Sequence, residues 1–376
     1  RGSRAFSKIV RPVSQGLLSL FINGSWMGFR KVSGHLAITF PGRHHQAILT
    51  CCIVRIVDTI STAFMTTTIT LESHSLAVTL SRHGARLVQL IAKRPNSELL
   101  LDTSCSDRAL IDQCCLGSTV GPYAGRLRQA DPITGLPSVM LHGGSAALHR
   151  ADWALTHTHQ PHTACYTTAL KHNEGGLPGD RQFSVAYTLS NNSLTIDLTA
   201  STTHSTPINL TNHAYFTLGA KSVRELSLTV RAHSVLATDD AQCPTGELLP
   251  VAATALDLIG SRPLADVLVQ LPNGLDHSYV LESDSSNTER LNEVAVLNNM
   301  ATGMSLSIAT TQPCLQVYTA AQLTAPLQPF SAICLEAQGF PDGPHHSWGK
   351  HTSVLPAGQT RSQRIVYRMM DCSPNQ

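Results

Sequence analysis

From Thr66 onward, apolar and polar positions alternate with a period of two. Phe183, Val185, Tyr187 and Leu189 are separated by mostly polar residues. Leu194, Ile196, Leu198 and Ala200 repeat the pattern beyond Ser190-Asn191-Asn192-Ser193. Successive side chains of a strand point to opposite faces, so this spacing predicts half-buried strands. Asn tolerates the left-handed backbone that tight hairpins need, so the two runs predict a hairpin. Leu226, Leu228 and Val230 follow the same rule, as do Met304, Leu306 and Ile308, Leu315 and Val317, and Ile365 and Tyr367. Turn residues separate the runs at Gly175-Gly176, Pro178-Gly179, Pro272-Asn273-Gly274 and Pro356-Ala357-Gly358. No long amphipathic helix interrupts them. The pattern predicts an all-β fold, a sandwich or a barrel, forming one domain over residues 66–370.

Residues 1–64 read differently. They are rich in Arg and Lys, hold a single acid (Asp58), and sustain neither period. An organellar transit segment has this composition. The simpler reading is an expression artefact or translated upstream sequence, with the start at Met65. Either way they are expected to be a poorly ordered extension outside the domain.

Composition narrows the function class. Of 376 residues 42% are hydrophobic, ample for a core, and 14% are charged, with a formal net charge of +2. That balance gives no footprint for nucleic acid or an anionic membrane. No apolar run reaches transmembrane length. The 10 cysteines include no CxxC pair, and a chain this long needs no disulfide scaffold. Reduced thiols and a cytoplasmic location are expected. The glycosylation-like tripeptides at Asn191 and Asn209 weigh little against this.

Five segments are unusual for plain strands or turns. Gly121-Pro122-Tyr123-Ala124-Gly125-Arg126 sets a guanidinium just after a glycine. Leu141-His142-Gly143-Gly144 puts an imidazole beside glycines that let a backbone approach a ligand. Asn209-Leu210-Thr211-Asn212-His213-Ala214-Tyr215-Phe216 interrupts an apolar pattern with polar groups that need partners if buried. Leu275-Asp276-His277 opens a strand with an acid and a histidine. In Cys334-Leu335-Glu336-Ala337-Gln338-Gly339-Phe340-Pro341-Asp342, a carboxylate emerges from an apolar strand, where an unpaired charge is costly. Each has a plainer reading as a turn, a solvated side chain or a satisfied core residue.

Together with Glu174-Gly175-Gly176-Leu177-Pro178-Gly179-Asp180, Pro244-Thr245-Gly246-Glu247 and Leu315-Gln316-Val317-Tyr318-Thr319, these segments resemble the aldose 1-epimerase family from about Thr66 to Met369. The resemblance implies a large antiparallel β-sandwich with an open cleft on one face, in which Glu336 is the general base and His213 the general acid. It makes His142 a second site histidine and gives Arg126, Asp276 and Gln316 to sugar hydroxyls. Tyr215 follows the acid as in the family's motif. The chain departs from the family at Gly125 (usually Asn), Pro122 (commonly Arg), Ala214 (often Ser) and Ala320-Ala321 (a Gly-Asn pair). These positions bear on substrate preference more than on reaction type.

The implied reaction interconverts the anomers of free aldoses such as glucose and galactose. An ionised Glu336 takes the C1 hydroxyl proton and a protonated His213 supplies the ring oxygen. The two are expected to face one cavity about a pyranose width apart. No redox change or group transfer occurs, so no cofactor is required, and the partner is a monosaccharide met by a monomer or weak dimer. The alternatives are a hexose-6-phosphate mutarotase, a glycoside hydrolase using Asp276 with Glu336, and a non-catalytic carbohydrate-binding protein. A metal site at His157, His159 and His162, or at His345 and His346, is a remote further reading.

Overall fold

The computed structural model describes residues 10–13, 17–22, 25–32, 35–39, 68–130, 137–156, 162–282 and 290–371. The chain divides into two units, Arg1–Thr66 and Thr67–Gln376. In the first, strands Val10–Val13, Leu17–Ile22, Ser25–Val32 and His35–Thr39 form an antiparallel meander in chain order. Nothing in the sequence pattern of residues 1–64 marks these strands.

The second unit is built on two large antiparallel sheets. A nine-stranded sheet runs Ala154–Thr156, Thr163–Leu170, Arg181–Leu189, Ser193–Thr202, Thr360–Asp371, Met304–Thr310, Asn292–Asn299, Leu226–Val230 and Arg262–Pro263. A six-stranded sheet runs Tyr215–Phe216, Ile333–Gln338, Cys314–Tyr318, Asp276–Val280, Ser234–Thr238 and Pro244–Pro250. One apolar cluster contains Val185 and Ile196 from the first sheet and Leu315, Val317, Leu335 and Ala337 from the second. The two sheets therefore share a single core, as a sandwich requires. Each large aliphatic or aromatic side chain buried there contributes about 1.5–3 kcal/mol. Helices are short: Arg108–Cys114, Leu264–Gln270 and Lys350–Ser353. No helix among the described residues is long and apolar enough to cross a membrane.

The alternation sorts faces as the pattern requires. Phe183, Val185, Tyr187 and Leu189 are buried, as are Leu194, Ile196, Leu198 and Ala200. The hairpin between them forms with Leu189 opposite Leu194, and Ser190 N–H donates to Ser193 O at 2.8 Å. Its turn corrects one expectation, since neither Asn191 nor Asn192 adopts a positive φ. Neighbouring loops hold it instead. Ser73 Oγ donates to Asn191 O at 2.7 Å, Ser75 Oγ to Asn191 Oδ1 at 3.1 Å, and Asn192 Nδ2 to Met369 O at 3.1 Å.

The described cysteines 105, 114, 115, 165, 243, 314 and 334 are all free, and the last three and Cys115 are buried. Cys51, Cys52 and Cys372 lie outside the described residues.

Tyr187 links the core to the segment that carries His213. Its hydroxyl donates to Ala85 O at 2.6 Å and accepts from Asn212 Nδ2 at 3.3 Å. Replacing it with Phe leaves both partners short of a bond in a water-free region. We predict that Tyr187→Phe lowers unfolding stability by about 1–3 kcal/mol, read from urea denaturation midpoints; a midpoint equal to the parent's would show the hydroxyl to be dispensable.

Candidate active site

The six-stranded sheet has one face in the core and one in a cleft. Leu315, Val317, Leu335 and Ala337 point inward and are buried. The residues between them point the other way, as a period of two demands. Register then assembles rows across strands. Ser278 pairs with Gln316, and Gln316 with Glu336. In the next row Asp276 pairs with Tyr318, Tyr318 with Cys334, and Cys334 with Tyr215. Directly opposed side chains lie about 4.5–5.5 Å apart at Cβ, close enough to act together.

The result is a cleft of about 590 Å³, lined by all seven residues singled out from the sequence: Arg126, His142, His213, Tyr215, Asp276, Gln316 and Glu336. His213 Nε2 lies 3.5 Å from Glu336 Oε1, and their side chains are 7% and 3% exposed. This separation is shorter than a pyranose width. The segment before His213 explains its placement. Asn209 Nδ2 donates to Ala124 O and Gly339 O, and Gly339 N–H donates to Asn209 Oδ1 at 2.7 Å. Thr211 Oγ1 donates to Ala337 O, and Asn212 Nδ2 to Gly117 O. These buried polar groups are cross-links that fix the backbone just beyond Glu336. They also bury the Asn209 side chain, so its tripeptide is no glycosylation site.

His213 stacks on Tyr215, with ring centroids 5.1 Å apart at 26°, and meets His142 edge-on at 5.7 Å. Tyr215 is locked by its hydroxyl, which donates to Cys114 O at 2.9 Å. That carbonyl ends the helix Arg108–Cys114, which Asp107 caps by accepting the Leu110 N–H. His142 is held twice. Its N–H donates to Gly125 O at 3.0 Å, and its Nδ1 accepts from Gly125 N–H at 3.2 Å. A neutral ring with Nδ1 accepting carries its proton on Nε2, so His142 is a donor there. The neighbouring glycines serve packing rather than ligand approach. A Cβ on Gly143 would lie 2.3 Å from Gly121 O, and one on Gly144 would meet Met140.

Along the opposite wall a hydrogen-bonded chain is already set. Ser278 Oγ donates to Gln316 Oε1, and Gln316 Nε2 donates to Asp276 Oδ1 at 2.6 Å. Asp276 is open to the cleft but backed by protein, and desolvation raises its pKa while the Gln316 hydrogen bond and Arg126 oppose the rise. Ser278, Tyr318 and Gln338 also line the cleft. They lie two residues from Asp276, Gln316 and Glu336, so the strand period marks them. Gln242, which also lines it, sits in a turn where no periodicity operates.

Burial dominates the electrostatics. Desolvation pushes the Glu336 carboxyl well above its usual range, and the charge of Asp276 adds to this. Desolvation lowers His213 to about 4, against a hydrogen bond with its own backbone that raises it. His142 is lowered well below 6.5, first by burial and then by His213, His149 and Arg126. Burial thus disfavours charge on both members of the pair, which works against an ionised Glu336 beside a protonated His213. Burial penalises two separated charges more than it penalises a shared proton.

Among the described residues no group of three His, Cys, Asp or Glu side chains converges to hold a metal ion. His157 and His159 lie outside the described residues. His345 and His346 instead face Asp342, at 2.7 and 3.5 Å.

A sandwich sheet carrying a buried carboxyl–imidazole pair in a cleft lined by polar side chains suits an enzyme that moves protons. A family model described as aldose 1-epimerase matches residues 67–368, and the chain belongs to that family. The galactose mutarotase of Mus musculus is 29% identical over 300 residues, 72% of this chain and 85% of that protein. The aldose 1-epimerase of Escherichia coli strain K12 is 27% identical over 325 residues, 78% of this chain and 92% of its own length. An aldose epimerase homologue from C. elegans shares the fold with a TM-score of 0.72 at 24% identity, covering 81% of this chain and all but a remnant (99% covered) of the other. Galactose 1-epimerase from Lactobacillus acidophilus aligns with a TM-score of 0.69 at 24% identity, covering 81% and 94%.

Desolvation of His213 sets the course of its titration. In NMR spectra of protein with labelled histidine, the His213 ring is expected to stay neutral from pH 7 downward and to protonate near 4. A midpoint at the ordinary ~6.5 would mean the pair is solvated.

Proposed function

We propose that the chain interconverts the α and β anomers of free aldoses such as glucose and galactose, with Glu336 and His213 exchanging protons with the sugar. The observation that carries this reading is the 3.5 Å approach of His213 Nε2 to Glu336 Oε1 at the floor of the cleft. Ring opening removes a proton from the C1 hydroxyl and adds one to the ring oxygen. Both oxygens are bonded to C1, so the base and the acid must stand close together, as this pair does.

With the sugar bound, the Glu336 proton passes to His213; the carboxylate so formed accepts the hydroxyl proton and the imidazolium donates to the ring oxygen as the C1–O bond breaks. The open-chain aldehyde then faces a protonated carboxyl and a neutral imidazole. That is the state burial favours, so the environment stabilises the intermediate's protonation pattern. Rotation about C1–C2 presents the other face, and the two transfers run in reverse. Atoms and charge balance within the pair and the sugar, so the step calls for no cofactor. Each positioned transfer typically contributes about 10²–10⁴ in rate. Arg126 and the Nε2–H of His142 donate to sugar oxygens, and Asp276, oriented by Gln316, accepts from a hydroxyl. Tyr215 supports the His213 ring from below.

Residues 66–370 carry this activity without residues 1–64; the family match beginning at residue 67 supports that division. The free thiols of the described cysteines support a cytoplasmic location.

Glu336→Gln and His213→Asn are each expected to cut turnover of fresh α-glucose or α-galactose by about 10²–10⁴, with sugar affinity largely retained. Polarimetry reads the rate, and a near-parental rate in either variant would overturn the assignment. The carboxyl of Glu336 has a raised pKa in the fold, so its contribution to stability falls as pH climbs from the usual carboxylate range toward that value. Glu336→Gln removes this dependence, so its melting temperature at pH 8 should equal or exceed the parent's. A lower one would attribute lost turnover to unfolding.

A further inference from the structure

We infer that Gln242 is a positioning residue for Arg126, and that through Arg126 it sets how tightly the cleft holds an aldose. This rests on the anomer-interconverting reading above and goes beyond it by one residue. Arg126 is half-buried at the cleft edge, and its Nη2 donates to Gln242 Oε1. Gln242 is exposed to the cleft and lines it.

The turn carrying Gln242 is built to hold that amide still. Gln242 N–H donates to Asp239 O at 2.8 Å, Asp239 N–H to Cys243 O at 2.9 Å, and Cys243 N–H to Asp239 Oδ1 at 2.9 Å. Arg128 lies two residues from Arg126 on the same strand and grips the turn from its side. Its Nη2 donates to Asp239 Oδ2 at 2.7 Å and its Nη1 to Pro244 O at 2.9 Å. The strand is fixed in turn by Asp342, whose N–H donates to Arg126 O at 2.7 Å and whose Oδ1 accepts from Arg128 N–H at 2.9 Å. One arginine therefore clamps the turn, and the turn holds the other arginine.

The chemistry of the amide matters. A long guanidinium side chain in an open cleft samples many rotamers, and a sugar needs one of them. An amide oxygen selects that rotamer while leaving the positive charge uncompensated. Arg126 keeps its remaining N–H groups for sugar oxygens. This wall offers donors, whereas the facing Asp276 offers an acceptor.

Gln242 has φ +57°, a conformation that favours glycine. Gln242→Gly therefore deletes the amide and suits the backbone of the turn. We expect KM for fresh α-galactose to rise about three- to tenfold, the effect of one lost hydrogen bond, with kcat within about twofold and melting temperature unchanged. In an Arg126→Met background, where KM is already raised, the same change should add less than about twofold. An unchanged KM in Gln242→Gly overturns the inference. So does a full, multiplicative effect in the double variant, which would mean a direct contact of its own, or a joint fall in kcat and melting temperature, which would mean turn collapse. Absence of anomer interconversion in the parent protein would instead overturn the functional reading.

Discussion

A carboxyl group and an imidazole held 3.5 Å apart, with almost no exposure to water, is the constraint on which the rest of this structure turns. Neither group can keep a lone charge cheaply in such surroundings. Together they can keep one proton, on either member, at little cost in net charge. A reversible proton exchange across a single carbon needs that property. Isolation from water is thus part of the chemistry, and the sandwich exists to provide it.

The fold meets this constraint through register and cross-linking. Strand pairing places Ser278, Gln316 and Glu336 in one row, so the carboxyl arrives beside a side chain already oriented by its neighbour. His213 belongs to a stretch with little regular ladder, and buried side chains take over the task. Asn209, Thr211 and Asn212 donate to main-chain carbonyls of Ala124, Gly339, Ala337 and Gly117. Main chain that lacks ladder partners must be satisfied some other way. Here the satisfaction also sets the aim of the imidazole.

The two walls of the cleft use different physics for the same purpose. Gln316 fixes Asp276 by a hydrogen bond that leaves the carboxylate accepting. Gln242 fixes Arg126 by a bond that leaves the guanidinium donating. Amides suit both tasks because they orient a charged partner without cancelling it. Side chains arranged beforehand lose less freedom when a ligand arrives.

The strands, their inward faces and the hairpin at Ser190–Ser193 were legible in the sequence, because alternation is a local consequence of backbone geometry. Glu336 and His213 were legible too, as polar groups standing where apolar ones belong. Ser278, Tyr318 and Gln338 were within reach of the same rule, two positions from residues already suspected. Gln242 was not, since a turn has no period to betray which side chain meets which. The hairpin's conformation likewise came from Ser73, Ser75 and Met369, far away in the chain. Periodicity by itself determined which residues face the core and which chemistry is present. Only the packed fold decided how strongly burial opposes charge on the acid–base pair, because desolvation is set by what surrounds a group in space and not by what precedes it in the chain.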